Sequence, residues 1–297
     1  MPQDWQSGLP AAEDFQNKEH YTMEELLTIM AFLRSDRGCP WDRAQTHDSI
    51  RKNLLEEAYE TIDAIESGKP ERICDELGDV LMQVVFHAQM AREAGSFAFS
   101  DVVDGICRKL ISRHTHIFGQ DHASTPDEVI DNWEKNKRQE KGLRSQSQVL
   151  TDVPRSLPAL QRSYKIQQKA AQVGFDWDDA AGPRQKIDEE LGEIEECVQK
   201  CRHAVDDGTM TSEEAGHLIA DETGDLLFAA VNYARHLHVQ PEMALNRANE
   251  KFIRRFAAVE QLAKKRSLDL EVMSLTEMDR LWDEVKQQER SGGDDAT

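Results

Sequence analysis

Apolar residues recur along most of the chain at the three- and four-residue spacing that lays one stripe along a helix. Leu26, Leu27, Met30 and Leu33 follow a capping box, with Thr22 standing three residues before Glu25. Thr125 and Glu128 repeat that signature, and Pro126 takes the first helical position. Leu54, Leu55, Ala58, Ile62 and Ile65 form another stripe, which Ser67-Gly68-Lys69-Pro70 interrupts. A second helix is predicted from about Glu71 to Ala94 with Gly95 as its stop, so the two form an αα-hairpin. Within the second arm Val80, Leu81, Met82, Val84, Val85 and Phe86 leave almost no polar face. Such a helix is expected to be covered on several sides, inside a bundle or a dimer. No segment shows the period-two alternation of a half-buried strand, and the predicted fold class is all-α.

The stretch from Gly142 to Pro158, rich in Ser, Gln and Pro, reads as a linker. The expected organisation is a disordered N-terminal extension over 1–20, a helical module over 21–141, the linker over 142–158, a second helical module over 159–290 and a disordered tail over 291–297.

The two modules carry the same landmarks in the same order. Gly38-Cys39-Pro40-Trp41-Asp42 corresponds to Gly174-Phe175-Asp176-Trp177-Asp178. Glu56-Glu57-Ala58-Tyr59-Glu60 corresponds to Glu189-Glu190-Leu191-Gly192-Glu193, and Asp75-Glu76-Leu77-Gly78-Asp79 to Asp221-Glu222-Thr223-Gly224-Asp225. Lys109 and Arg113 match Lys251 and Arg255; Trp133 and Lys137 match Trp282 and Lys286. The spacing inside each landmark is kept while the intervals differ, the stretch from Glu193 to Glu222 being the main insertion.

Charge narrows the range of partners. Fifty-six acidic against 36 basic residues give a net charge of -20, which repels polymeric nucleic acid. Five cysteines without regular spacing fit a reducing compartment. The polar, acidic start resembles neither a signal peptide nor an anchor, and no apolar run approaches bilayer length. A cytoplasmic chain with no membrane partner is expected.

Carboxylates three residues apart share a helix face. Glu57/Glu60 should therefore meet Glu76/Asp79 across one hairpin, and Glu190/Glu193 should meet Glu222/Asp225 across the other. A like-charge pair at about 4 Å costs roughly 4 kcal/mol at the effective dielectric of a protein surface, so such a quartet calls for a cation. An all-oxygen set suits Mg²⁺ or Mn²⁺, which bridge to substrate phosphates. Lys109/Arg113 and Lys251/Arg255 are spaced to hold phosphate oxygens. Trp133/Lys137 and Trp282/Lys286 offer an aromatic face beside a cation, on which a base can stack.

Each landmark alone has a plainer reading. An isolated Glu-x-x-Glu in so acidic a chain is ordinarily a solvated helix face, and a lone Trp is ordinarily core. Trp41 and Trp177 either pack structurally or line a nucleotide site. The ordered recurrence in both halves is what favours chemistry. No phosphate loop, dinucleotide fingerprint or His-Glu-x-x-His is present. Cys197 and Cys201 lack the second pair that zinc would want, and His114 and His116 have no counterparts in the second half.

Together these motifs resemble the MazG family of nucleoside triphosphate pyrophosphohydrolases over about residues 22 to 289. The carriers include Gly-Cys-Pro-Trp-Asp at 38 to 42, Leu-Glu-Glu-Ala-Tyr-Glu at 55 to 60, Arg-His-Thr-His-Ile-Phe at 113 to 118 and Asn-Glu-Lys-Phe-Ile-Arg-Arg-Phe at 249 to 256. Thr115 departs from the usual proline, and residues 1–20 extend beyond the pattern. The resemblance implies tandem four-helix modules, a homodimer, and cleavage of nucleoside triphosphates to monophosphate and pyrophosphate with broad base tolerance in a housecleaning or stress-related role. It implies that the second module is the hydrolase, so that Glu190, Glu193, Glu222 and Asp225 hold metal while Lys251, Arg255, Trp282 and Lys286 bind nucleotide. Glu189, beside Glu190, is the candidate for orienting water. The rivals are a narrower nucleotide pyrophosphatase, acting on dUTP, dCTP or phosphoribosyl-ATP, and a nucleotide sensor without turnover.

Overall fold

A computed structural model gives the fold, and the structure describes residues 5–6, 8–16 and 18–292. These contain helices and no strand, and the chain divides into two compact units between Lys137 and Arg138.

The first unit opens with α1 (Met23–Arg34), started by the predicted box. The Glu25 amide donates to Thr22 Oγ1 at 3.3 Å, and the Thr22 amide donates back to the Glu25 carboxylate at 2.8 Å. After the short α2 (Pro40–Ala44) come α3 (Arg51–Ser67) and α4 (Pro70–Glu93), the predicted hairpin. Gly68, at φ 64°, lets the chain leave α3 through a left-handed turn that a side chain would strain. The unit continues with α5 (Phe99–Arg113), α6 (Thr115–Phe118) and most of α7 (Pro126–Glu140), inside whose last turn the division falls. Its core is Met30, Ile50, Val85, Phe86 and Met90.

One charged residue is built into that core. Arg34, 6 % exposed, makes a two-pronged ion pair with Glu93 (2.8 and 2.7 Å) and lies over the Phe86 ring. It also donates to the carbonyls of Asp42 and Gln45, tying α4 to the segment that enters α3.

Cover over the apolar run of α4 is less complete than its pattern predicts. Gln83, Val85 and Phe86 are buried, whereas Met82 is exposed, as are Leu77 on the same helix and Leu54 and Leu55 on α3. Among the described residues α4 packs chiefly against α1, α3 and α5, which leaves these apolar side chains of the hairpin exposed.

In the second unit, the stretch read as a linker contains α8 (Gln146–Thr151), capped by Ser145, with Val149 and Val153 buried. Then follow α9 (Ala159–Ala171), α10 (Ala181–Asp206), α11 (Ser212–His236), α12 (Pro241–Lys265) and α13 (Leu275–Gly292). The expected insertion between Glu193 and Glu222 is mainly helix: α10 has 26 residues where its counterpart α3 has 17. Added turns of a paired hairpin bury further side chains and satisfy their own backbone, which a long loop would not. Val259, Ala263, Leu281 and Val285 form the core between α12 and α13.

The expected disorder at the ends falls partly on residues 1–4, 7, 17 and 293–297, which lie outside the described residues. Within the extension, Ala12–Phe15 forms a 3₁₀ turn whose Phe15 ring stands 5.4 Å from that of Phe32. The five cysteines are free thiols. No described helix is long and apolar enough to cross a membrane.

Candidate metal centres and the adjoining cavity

Each hairpin gathers carboxylates from both of its arms. In the first, Glu57 of α3 and Glu76 and Asp79 of α4 bring one oxygen each to within 4.8 Å of one another. Thr61 sets the approach: its hydroxyl donates to the Glu57 carbonyl at 2.8 Å and lies 3.3 Å from that of Glu76. Burial, then the charge of Asp79, pushes the Glu57 carboxyl above its usual range. Burial and the charge of Glu60 do the same to Glu76. Glu60 thus acts through its charge and stands outside the close group.

In the second hairpin Glu190 and Glu193 of α10 meet Glu222 of α11 in the same way. Glu190 is only 5 % exposed. A hydrogen bond with Glu190, then burial and the Glu190 charge, raises the Glu193 carboxyl. Asp225, the fourth expected member, lies outside the close group and lines the neighbouring cavity. Three converging carboxylates, one of them buried and another held toward its protonated form by that company, are the donor set of a hard divalent cation.

Lys186, one turn before Glu190 on α10, places Nζ 2.6 Å from Glu190 and 2.7 Å from Glu189. Hydrogen bonds to Glu189 and then Glu190 push the lysine pKa up. The sequence shows Lys-x-x-x-Glu at the spacing of a helical ion pair, yet nothing in it singles this lysine out from others.

The cavity beside this cluster has a volume of about 520 Å³, and its walls include Lys186, Glu190, Asp225, Phe175, Trp177 and Arg235. Such a volume lies within the range of about 300–1,000 Å³ usual for small-molecule sites. The Gly-Phe-Asp-Trp landmark is pinned here through Asp176, whose carboxylate accepts from Arg235 (2.9 Å to Nη1) and His236 (2.9 Å). Burial pushes Asp176 up, but these hydrogen bonds outweigh it and hold the carboxyl below its usual range. Arg235 also donates to Asn232 Oδ1 at 2.9 Å. Gly182 backs Trp177, since a Cβ there would fall 2.1 Å from the indole Cδ1. Trp41, the counterpart in the first unit, is 61 % exposed.

The basic and aromatic landmarks assemble elsewhere, and among the described residues none of them lines this cavity. Arg255 pairs with Glu289 at 2.8 Å, Lys286 with Asp283 at 2.8 Å, and Trp282 tilts against Phe252 with centroids 5.1 Å apart. Lys251 is exposed on α12. In the first unit Trp133 is flanked by Arg113 (5.1 Å) and Lys137 (4.9 Å), while Lys109 is exposed on α5. His114 Nδ1 donates to the Leu110 carbonyl (2.6 Å), closing the end of α5.

Fold and site together define an all-α protein with two carboxylate hairpins, each able to hold a divalent cation. The chain belongs to the MazG nucleotide pyrophosphohydrolase family, whose domain matches it twice, at residues 45–118 and 183–259. It is 45 % identical over 268 residues to the nucleoside triphosphate pyrophosphohydrolase of Escherichia coli (strain K12), a match covering 90 % of this chain and 98 % of that one. It is 42 % identical over 272 residues to the nucleoside triphosphate pyrophosphohydrolase/pyrophosphatase MazG of Thermotoga maritima, covering 92 % and 96 %. A nucleoside triphosphate pyrophosphohydrolase of Mycolicibacterium smegmatis matches at 42 % over 155 residues, 51 % of this chain and 48 % of that protein.

Proposed function

We propose that this chain hydrolyses nucleoside triphosphates to monophosphate and pyrophosphate, with broad base tolerance, at the α10/α11 hairpin and with Mg²⁺ as the resident cation. The observation that carries the reading is the convergence of Glu190, Glu193 and Glu222 beside a cavity of about 520 Å³ that also holds Lys186 and Asp225. When bound there, a divalent cation neutralises phosphate charge and lowers the pKa of its water. Mn²⁺ would satisfy the same oxygen set.

The protein's own groups do the positioning. Glu190, Glu193 and Glu222, with Asp225 at the cavity wall, fix the cation. Lys186 meets phosphate oxygens, and Glu189, which shares that lysine, orients the attacking water. Lys251, Arg255 and Lys286, with Trp282 beside the last, supply positive charge for the polyphosphate. Arg255 and Lys286 each already have a carboxylate neighbour, so substrate would exchange one anion for another there. In the first unit Glu57, Glu60, Glu76 and Asp79, with Lys109, Arg113, Trp133 and Lys137, form a second nucleotide-binding or assembly module. The chain acts as a cytoplasmic homodimer in a housecleaning role, and its charge of -20 keeps it off polymeric nucleic acid and anionic membranes.

The test is incubation of the purified chain with a panel of ribo- and deoxyribonucleoside triphosphates and Mg²⁺, with and without excess chelator. The expected outcome is pyrophosphate, not orthophosphate, from most substrates and none with chelator. A preference for one base by several orders of magnitude would point to a narrower pyrophosphatase, and binding without turnover to a sensor.

A further inference from the structure

Two imidazoles from separate parts of the chain meet in the first unit. His47, on the segment between α2 and α3, is exposed, and His87, two turns beyond Asp79 on α4, is half-buried. Their Nδ1 atoms are 2.8 Å apart. Neither ring has another hydrogen-bond partner among the described residues, and His87 Nε2 is buried without one. Burying an imidazole with one nitrogen unpaired costs more than a single hydrogen bond returns, so packing alone does not account for the pair. The repeat points the same way. Counted from the matching Asp75 and Asp221, His87 falls at Tyr233, and residues 179–188, which precede Glu189, contain no histidine. The pair belongs to the first hairpin and has no counterpart in the second.

The separation of the two nitrogens narrows the ligand. Imidazole nitrogens bind transition metals of intermediate softness at about 2.0–2.1 Å. Two of them at right angles around one ion then stand about 2.8–3.0 Å apart, whereas two in a tetrahedral zinc site stand about 3.3–3.4 Å apart. The observed 2.8 Å is the right-angled value. It suits neighbouring positions of a tetragonal ion with nitrogen and oxygen donors, the preference of Ni²⁺ and Cu²⁺. The carboxylate groups of the hairpins are all-oxygen sets and select a harder ion. The imidazoles lie edge to edge, 5.0 Å between centroids and 6° from parallel, so each ring has to turn for both lone pairs to meet one ion. His47, exposed and outside the helices, has the room to do so.

We propose that His47 and His87 form a binding site for a tetragonal transition-metal ion of the Ni²⁺ or Cu²⁺ class, with water in the remaining positions. The ion ties the segment before α3 to the middle of α4. Neither histidine belongs to the machinery proposed for hydrolysis.

The test is calorimetric titration of the intact protein with Ni²⁺, in saturating Mg²⁺ that competes for the carboxylate groups. His47→Ala and His87→Tyr are titrated beside the wild type, tyrosine being the residue at the matching position of the second unit. His114→Ala is the control for a histidine outside the pair. Loss of one outer partner of a metal site already costs about 10–100-fold in affinity, so loss of one of two ligands should weaken this site by at least about tenfold. The wild type and His114→Ala should therefore bind one Ni²⁺ that His47→Ala and His87→Tyr bind at least about tenfold more weakly. Ni²⁺ should also raise the melting temperature of the wild type more than that of either variant. Equal affinity and stoichiometry in the wild type and His47→Ala overturn the proposal, as does loss of the ion in His114→Ala alone. Tighter binding of Zn²⁺ than of Ni²⁺ overturns the tetragonal assignment. Because His47 is exposed, its variant decides the question even if His87→Tyr misfolds.

Discussion

Lys186 Nζ stands 2.6 Å from Glu190 Oε1, one helical turn apart on α10, and the carboxylate side chain it meets is 6 % exposed. The lysine is the cation that keeps a nearly buried carboxylate tolerable beside Glu193 and Glu222 before metal arrives. Replacing it by Met should leave three acids facing one another with no counter-charge. Lys186→Met should therefore melt lower than the wild type without metal, and its melting temperature should rise more on addition of saturating Mg²⁺. An identical metal-induced rise in both proteins would show that the lysine does not neutralise the cluster.

The Arg34–Glu93 pair makes a second, structural prediction. Glu93→Ala strands a guanidinium that is 6 % exposed in the α1/α4 core. Breaking a buried pair from one side costs about 3–5 kcal/mol, read by urea unfolding monitored by circular dichroism. Arg34→Met in the same background should recover part of the loss. A loss below about 1 kcal/mol, as for a surface pair, would contradict the account.

A histidine pair gives the first unit a pH dependence. Nδ1 of His47 and Nδ1 of His87 are 2.8 Å apart, with parallel rings 5.0 Å between centroids. That separation is close to the longest the nitrogen contact allows, so the rings meet edge to edge and one nitrogen must donate to the other. Burial, and then the charge of His47, lowers the His87 pKa. The folded state thus binds fewer protons than the unfolded one: the contribution is complete above about 6.5 and is lost as pH falls from there toward the depressed folded value. The wild type should lose more melting temperature between pH 7.5 and 5.5 than His87→Gln does. Parallel pH profiles would contradict this.

The hairpins leave apolar surface open: Leu54, Leu55, Leu77 and Met82 in the first unit, Leu191, Leu218, Leu227 and Phe228 in the second. A second copy of the chain covering these faces predicts a particle of twice 33.8 kDa by light scattering at micromolar concentration. Leu227→Asp should shift it toward the monomer. A monomeric wild type would contradict the dimer.

The local features of this fold were legible because their signals are local. Thr22 with Glu25 starts α1, and Gly68 with Pro70 marks the turn between α3 and α4, within a residue or two of the predicted positions. The carboxylate groups followed from i, i+3 spacing on paired helices. Other features depend on residues far apart in the chain. Asp176 finds Arg235 and His236 across some sixty positions, and Gln167 finds Phe228 across a similar distance. No spacing rule reaches that far. Lys286 is the converse case: its i, i+3 pair with Asp283 is local, yet the match of Trp282 and Lys286 to Trp133 and Lys137 points to a ligand and not to that pair.

Turnover should belong to the second hairpin. Glu222→Ala removes one of three converging carboxylates there, and Glu76→Ala removes its counterpart in the first. Each variant, confirmed helical by circular dichroism, is assayed for pyrophosphate release from ATP with saturating Mg²⁺. Glu222→Ala should lower kcat by several orders of magnitude, on the scale of losing a catalytic metal, while Glu76→Ala keeps most of the wild-type rate. Loss of activity in Glu76→Ala with Glu222→Ala still active would invert the assignment, and an equal halving in both would make each hairpin an independent active site.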